Sequence, residues 1–209
     1  MRPACLLNPV RNLIRLALWT WFLAALVVGR LGLLKAVPAP SLSGVLLGLT
    51  VLLLAACTVI PAIRTWLETV DLNALVLLHV SRLIGYAFLV LFRQGRLPYA
   101  LAVTGGWGEI VAGALALVAV FLPMRASLRR HAFIIWNTIG LANVLLLAAT
   151  VVRIEFILPW QLGALRFLPG SMLPTFLMPL IIVTHIVLYG RLRAPAGTSD
   201  PKAPPPADV

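Results

Sequence analysis

The stretch HVSRLIGY, residues 79–86, sets His79, Ser81 and Arg82 between two apolar runs, LNALVLL and AFLVLF. On a regular α-helix His79, Arg82 and Tyr86 are spaced i, i+3, i+7 and share one face. Such a face can hold a solute or ion, ligate a metal or haem iron, or relay protons. Which chemistry applies depends first on the solvent around the segment.

Composition identifies that solvent. The 209 residues are 61% hydrophobic and 11% charged, with a mean hydropathy of +1.02. Soluble domains carry about 25% charged residues, so this chain cannot clothe a water-facing surface. Several apolar runs approach or exceed the roughly 20 residues that cross a bilayer as helix. The alternating ten-residue strands of an outer-membrane barrel are absent. The sequence therefore predicts an all-α polytopic transmembrane bundle of about six spanning helices, at 13–34, 42–60, 72–92, 99–122, 132–152 and 172–189. Residues 1–193 form one transmembrane domain, and the Pro- and Ala-rich 194–209 reads as a disordered cytoplasmic tail.

In that setting Arg82 is conspicuous. An arginine at the centre of a spanning helix costs about 2.5–3.5 kcal/mol on insertion scales, and it does not shed its proton. Arg82 stands about ten residues from either end of its run, roughly 15 Å at 1.5 Å per residue, too deep to snorkel without strain. It needs a partner, and the one acid well inside a predicted span is Glu109, in TGGWGEIVAG. Gly105, Glu109 and Gly113 follow at i, i+4, i+8, a small-residue seam that lets a neighbouring backbone approach. With the third helix running outward and the fourth inward, Arg82 and Glu109 reach the same depth, which predicts an ion pair. Asn143 falls near the middle of the fifth span, on a face with Trp136 and Gly140, and Asn137 lies nearer the cytoplasm. His185 of the sixth span matches the depth of His79, and Pro174 and Pro179 interrupt that span, freeing carbonyls to line a cavity. The candidate substrate or ion site is thus His79, Arg82, Glu109, Asn143 and His185, supported by Tyr86, Gly105, Asn137 and Pro179, in a pocket opening toward the cytoplasm. Polar side chains also act as glue between membrane helices. Charges at matched depth favour a functional layer.

Other chemistries fare less well. Two histidines at one depth can ligate haem, but there is no second pair and Arg82 would stand beside the iron. No cofactor is predicted, with haem kept as an alternative, and no metal is named, since zinc would need His79, His185 and Glu109 to converge. Catalytic signatures (H-E-x-x-H, G-x-S-x-G, a Walker loop) are absent, so the chain reads as a non-enzyme. Cys5 and Cys57 are placed where a structural disulfide is not expected.

Arginine and lysine orient the chain. With the N-terminus inside, ten of them (Arg2, Arg11, Arg15, Arg64, Arg125, Arg129, Arg130, Arg191, Arg193 and Lys202) are cytoplasmic. Six (Arg30, Lys35, Arg93, Arg96, Arg153 and Arg166) lie opposite, which puts both termini in the cytoplasm. The net charge of +11 then serves orientation and contact with anionic lipid. Nucleic acid is not an expected partner, because no polar domain presents the charge. The segment 153–171 is too broken by Pro and Gly to span, and its Trp160, Leu165 and Phe167 suit the lipid–water interface.

The series HVSRLIGY, GRLPYA (95–100), GGWGEIVAG (105–113), WNTIGLAN (136–143) and LPTFLMPLIIVTH (173–185) resembles a bacterial family of small multi-pass inner-membrane proteins of unassigned function. The resemblance covers roughly the last two-thirds of the chain and implies several helices but no activity. That family often carries an acid where this chain has Asn143, which argues against a mechanism needing a second carboxylate. The expected function is binding or translocation of a small solute or ion, with protons carried by His and Glu in series. The alternatives are a haem-binding or electron-transfer protein, and a non-catalytic subunit or assembly factor.

Overall fold

A computed structural model describes residues 4–38 and 40–193. The tail expected to be disordered, and Arg2 and Lys202 of the charge count, lie outside the described residues. Six helices are long and apolar enough to cross a membrane: Pro9–Leu31, Ser41–Val59, Leu72–Arg93, Ala100–Phe121, Ser127–Ile157 and Leu173–Arg193. No strand occurs among the described residues. The elements are α1 (Ala4–Leu31), α2 (Ser41–Val59), α3 (Pro61–Thr69), α4 (Leu72–Leu78), α5 (Gly85–Arg93), α6 (Gly106–Phe121), α7 (Ala126–Ile157) and α8 (Met178–Arg193). An even number of spans returns the chain to the face it started from. The last span is the most buried and the first the least.

The third span is not a regular helix. Between α4 and α5, His79–Ile84 winds as 3-10 helix. Ser81 Oγ donates to the Leu78 carbonyl at 2.8 Å, a local bond that competes with the α-ladder. At three residues per turn, side chains three apart eclipse one another. Val76, His79, Arg82, Gly85, Phe88 and Leu91 are accordingly all buried, at a strict three-residue spacing. This corrects the expectation for Tyr86, which is 66% exposed. The inward place that a 3.6-residue period gives to Tyr86 belongs to Gly85. There a Cβ would lie 2.5 Å from the Gly106 carbonyl oxygen, so glycine allows spans three and four to meet backbone to backbone.

Two further spans begin as π-helix, Ala100–Gly105 before α6 and Leu173–Leu177 before α8. In the second, Pro179 has no N–H to offer Thr175, four residues back. The freed carbonyl does not line a cavity. It accepts the indole N–H of Trp21 at 2.9 Å, which ties the outlying α1 to the last span.

The segment after 152 differs from expectation. The α7 helix continues to Ile157 and carries Glu155, buried to 1% exposure. Its carboxylate accepts from Leu42 N–H at 2.8 Å, Ser43 N–H at 2.7 Å and Ser43 Oγ at 2.5 Å. It thereby satisfies the orphan donors at the start of α2 and complements the positive end of the helix dipole. Arg166 stands 3.9 Å from the same carboxylate and donates to the Leu34 and Val37 carbonyls. The following Pro159–Arg166 is 3-10 helix, with Trp160 exposed but Leu165 fully buried, so Leu165 is a core residue and not an interfacial one. Phe167 is half-buried and lies under the Lys35 ammonium, 4.2 Å from its ring centre.

Residues 61–71 lie between the second and third expected spans. There Pro61–Thr69 forms α3, with Ile63, Trp66 and Leu67 half-buried and Arg64 and Glu68 exposed, the pattern of a helix lying along an interface.

Glu155→Ala should strand two buried N–H groups and cost about 1–3 kcal/mol for each. Glu155→Gln, which keeps an acceptor, should cost less. Thermal unfolding in detergent micelles measures both, and equal losses would contradict the capping role.

Candidate functional site

Polar residues of four spans meet between two apolar cores. Along span three, Leu75 and Val76 belong to one core and Phe88 and Leu91 to the other, with His79 and Arg82 between them. The same order recurs in α6 (Leu101 and Ala102 before it, then Glu109, then Ala116 and Ala119). It recurs in α7 (Phe133, then Asn137 and Gly140, then Val144) and in α8 (Ile182, then His185, then Leu188). The residues thus form a layer about one helical turn thick, walled by hydrocarbon above and below.

Arg82 is its hub. The guanidinium grips Glu109 through two parallel bonds, Nη2 to Oε1 at 2.6 Å and Nε to Oε2 at 2.9 Å. Its Nη1 donates to the Gly140 carbonyl at 3.1 Å and to His185 Nε2 at 3.1 Å. A side chain at Gly140 would collide with that arrangement, since a Cβ there would come within 2.7 Å of His185 Cε1. Asn143 Nδ2 donates to Glu109 Oε1 at 2.8 Å, giving that oxygen a second donor. Gly108 leaves the space for the Asn143 amide.

The hydrogen bonds also fix the His185 ring. Asn137 Nδ2 donates to the His185 carbonyl at 3.1 Å, so its Oδ1 is the acceptor facing His185 Nδ1 at 2.8 Å. His185 Nδ1 therefore carries the proton, and Nε2 presents a lone pair to Arg82. Asn137 orients a central member of the site, a larger part than its sequence position suggested. The ring of His79 packs against that of His185 with centroids 4.2 Å apart, and the Trp136 indole lies against both, at 4.9 and 5.6 Å. Trp136 is itself held by donation to the Ala112 carbonyl at 2.9 Å. His79 Nε2 meets Thr184 Oγ1 at 3.3 Å, while His79 Nδ1 is buried without a partner.

The five expected site residues are thus brought into one cluster. Gly105 serves it indirectly, packing against Leu147 of α7, and Pro179 acts one turn away, through Trp21. The cluster is not a pocket open to the cytoplasm. His79, Arg82 and His185 are 0% exposed and Glu109 2%, because Trp136 and Leu188 close the layer on the side of the termini. The two imidazoles touch, leaving no slot for a porphyrin between them, and Arg82 occupies the coordinating nitrogen of His185. Among the described residues no three His, Cys, Asp or Glu side chains are grouped to hold a metal ion.

Residues 39–193 match the family model described as Domain of unknown function (DUF8737). The chain belongs to that family. The match takes in every residue of the polar layer and begins after α1. No curated protein and no solved structure matches the chain.

Breaking a buried ion pair by removing one partner costs about 3–5 kcal/mol. Glu109→Gln should destabilise the protein on that scale, and adding Arg82→Gln should recover part of the loss. A double-mutant cycle read by unfolding in detergent tests the pair. Strictly additive losses would show that the two charges do not interact.

Proposed function

We propose that this chain is a multi-pass protein of a bacterial inner membrane, with both termini in the cytoplasm. Its polar layer binds or translocates a small solute or ion, a proton being the simplest. The reading rests on one observation: a complete Arg–Glu pair, joined to two touching imidazoles, is sealed between two apolar cores. Packing alone does not account for it. A buried ion pair is typically no more stabilising than apolar side chains of the same volume, and ionisable groups at mid-membrane mark ion or substrate paths by default.

The neighbouring geometry agrees with this reading. Glu109 and His185 are both held by the Arg82 guanidinium, and His185 touches His79, so a carboxylate and two imidazoles, side chains able to carry protons, stand side by side. His79 keeps one ring nitrogen free to accept a proton or ligand. Three of the four spans that build the layer contain 3-10 or π segments, which frequently accompany hinges and functional sites. On this reading the sealed layer is an occluded state, and passage requires the Trp136 closure to move.

Proteoliposomes carrying an internal pH-sensitive dye test the proposal, with a potassium diffusion potential as the driving force. The wild-type protein should acidify or alkalinise the lumen faster than protein-free vesicles. Glu109→Gln and His185→Gln should fall to the protein-free rate. No flux through the wild type, or full flux through both variants, would overturn the proton reading. Orientation has its own test. A reporter active only in the cytoplasm, fused after Val209, should be active, and a periplasm-only reporter there should be silent. The reverse would overturn the assignment drawn from the charge count.

A further inference from the structure

A second feature lies on the outside of the same two helices. Leu83, Tyr86, Val90 and Arg93 lie along one face of span three, and Trp107 and Ile110 of α6 stand beside them. Together they line a groove of about 420 Å³. Its lining is mostly apolar, and its one charged side chain is Arg93, the last residue of α5, at the membrane face opposite the termini. Tyr86 and Trp107 are largely exposed, so the groove opens toward lipid. It runs from Arg93 inward to Leu83, roughly 15 Å at 1.5 Å per residue.

We propose that this groove is a binding site for one anionic phospholipid, with an acyl chain along the groove and the phosphate on Arg93. An empty apolar groove facing hydrocarbon forfeits dispersion contacts that a lipid chain restores. Arg93 is exposed and has no hydrogen-bond or ion-pair partner among the described residues. Its guanidinium matches phosphate in charge and in the geometry of its donors. Arg96 follows three residues later in the loop and adds to the positive field.

Charge complementarity also decides against a second copy of the chain as the occupant. Of the six acids, Glu68 and Asp71 lie on the face of the termini, Glu109 and Glu155 are buried and engaged, and Asp200 and Asp208 belong to the C-terminal tail. Among the described residues no exposed acid stands at the depth of Arg93 to meet it.

The test uses delipidated full-length protein in detergent, offered phosphatidylglycerol or phosphatidylcholine of identical chains and read by native mass spectrometry. One phosphatidylglycerol should be retained, with a preference of about fivefold over phosphatidylcholine, the factor expected of one arginine at an anionic surface. Arg93→Gln should erase that preference while leaving residual binding of both lipids. Val90→Trp, which fills the groove from a lipid-facing position, should reduce both. Equal retention of the two lipids by the wild type, or an unchanged preference in Arg93→Gln, would overturn the headgroup assignment. Undiminished binding by Val90→Trp would overturn the groove. A dimer that excludes lipid would show the occupant to be a second chain.

Discussion

A guanidinium that cannot lose its proton, fixed in the middle of a membrane, is the constraint from which the rest of the layer follows. Arg82 needs acceptors on every side that water would otherwise occupy. Glu109 supplies two oxygens, the Gly140 carbonyl a third acceptor and His185 Nε2 a fourth. Each acceptor brings its own requirement. The Glu109 backbone comes close only because Gly85 and Gly106 have no side chains at the crossing. Gly140 must be bare so that its carbonyl and His185 can both reach the guanidinium. The lone pair of His185 points inward only while Asn137 holds the other ring nitrogen. Two helix-crossing distances and one side-chain tautomer are thus set by a single charge.

Charge serves a different purpose at the ends of the helices. Arg130 donates to the Leu192 carbonyl at the end of α8, and Arg129 donates to the Val120 carbonyl near the end of α6. Arg191 does the same for Leu67 and Val70 at the end of α3. These are carbonyls a helix leaves unsatisfied, at the negative end of its dipole. Glu155 is the mirror case at the start of α2. Three of the basic residues therefore cap helices at the membrane face as well as orienting the chain. Those contacts are stabilising in an ordinary way. The buried pair offers no comparable advantage over hydrocarbon, and this contrast separates the mid-membrane layer from the caps.

The sequence carried depth better than direction. Counting residues along apolar runs puts Arg82, Glu109, Asn143, His79 and His185 at one level, because six residues of 3-10 helix lengthen a span by only about 3 Å. Direction depends on residues per turn. Tyr86 was misplaced because six residues of span three wind three to a turn, and the only local sign was a serine able to bond back to its own helix. Glu155 was missed for another reason. It lies beyond the expected end of the fifth span at 152, and nothing in one sequence says that a distant helix start at Ser41–Ser43 needs a carboxylate. Leu165 and the role of Asn137 likewise depend on neighbours far along the chain. Six spans were legible from hydropathy alone, whereas α3, amphipathic and only nine residues long, does not register as a hydrophobic run.

The two sides of the contact between spans three and four now bear on one another. Arg82 and Glu109 face inward from these helices, and their chain neighbours Leu83 and Ile110 line the groove outside. A motion that parts the two helices lengthens the Arg82–Glu109 bonds and widens the groove together, since Gly85 and Gly106 are in direct backbone contact and leave no side chain to buffer the movement. An acyl chain filling the groove gains contacts only while its walls remain close. It would therefore favour the paired arrangement of Arg82 and Glu109 over a parted one by whatever its contacts differ between the two. The irregular winding of span three lies at the same level, where a change from three to 3.6 residues per turn would rotate Arg82 relative to Glu109 and shorten the span by about 3 Å. The layer, the groove and the 3-10 segment thus meet at one contact between spans three and four, and the buried ion pair lies across it.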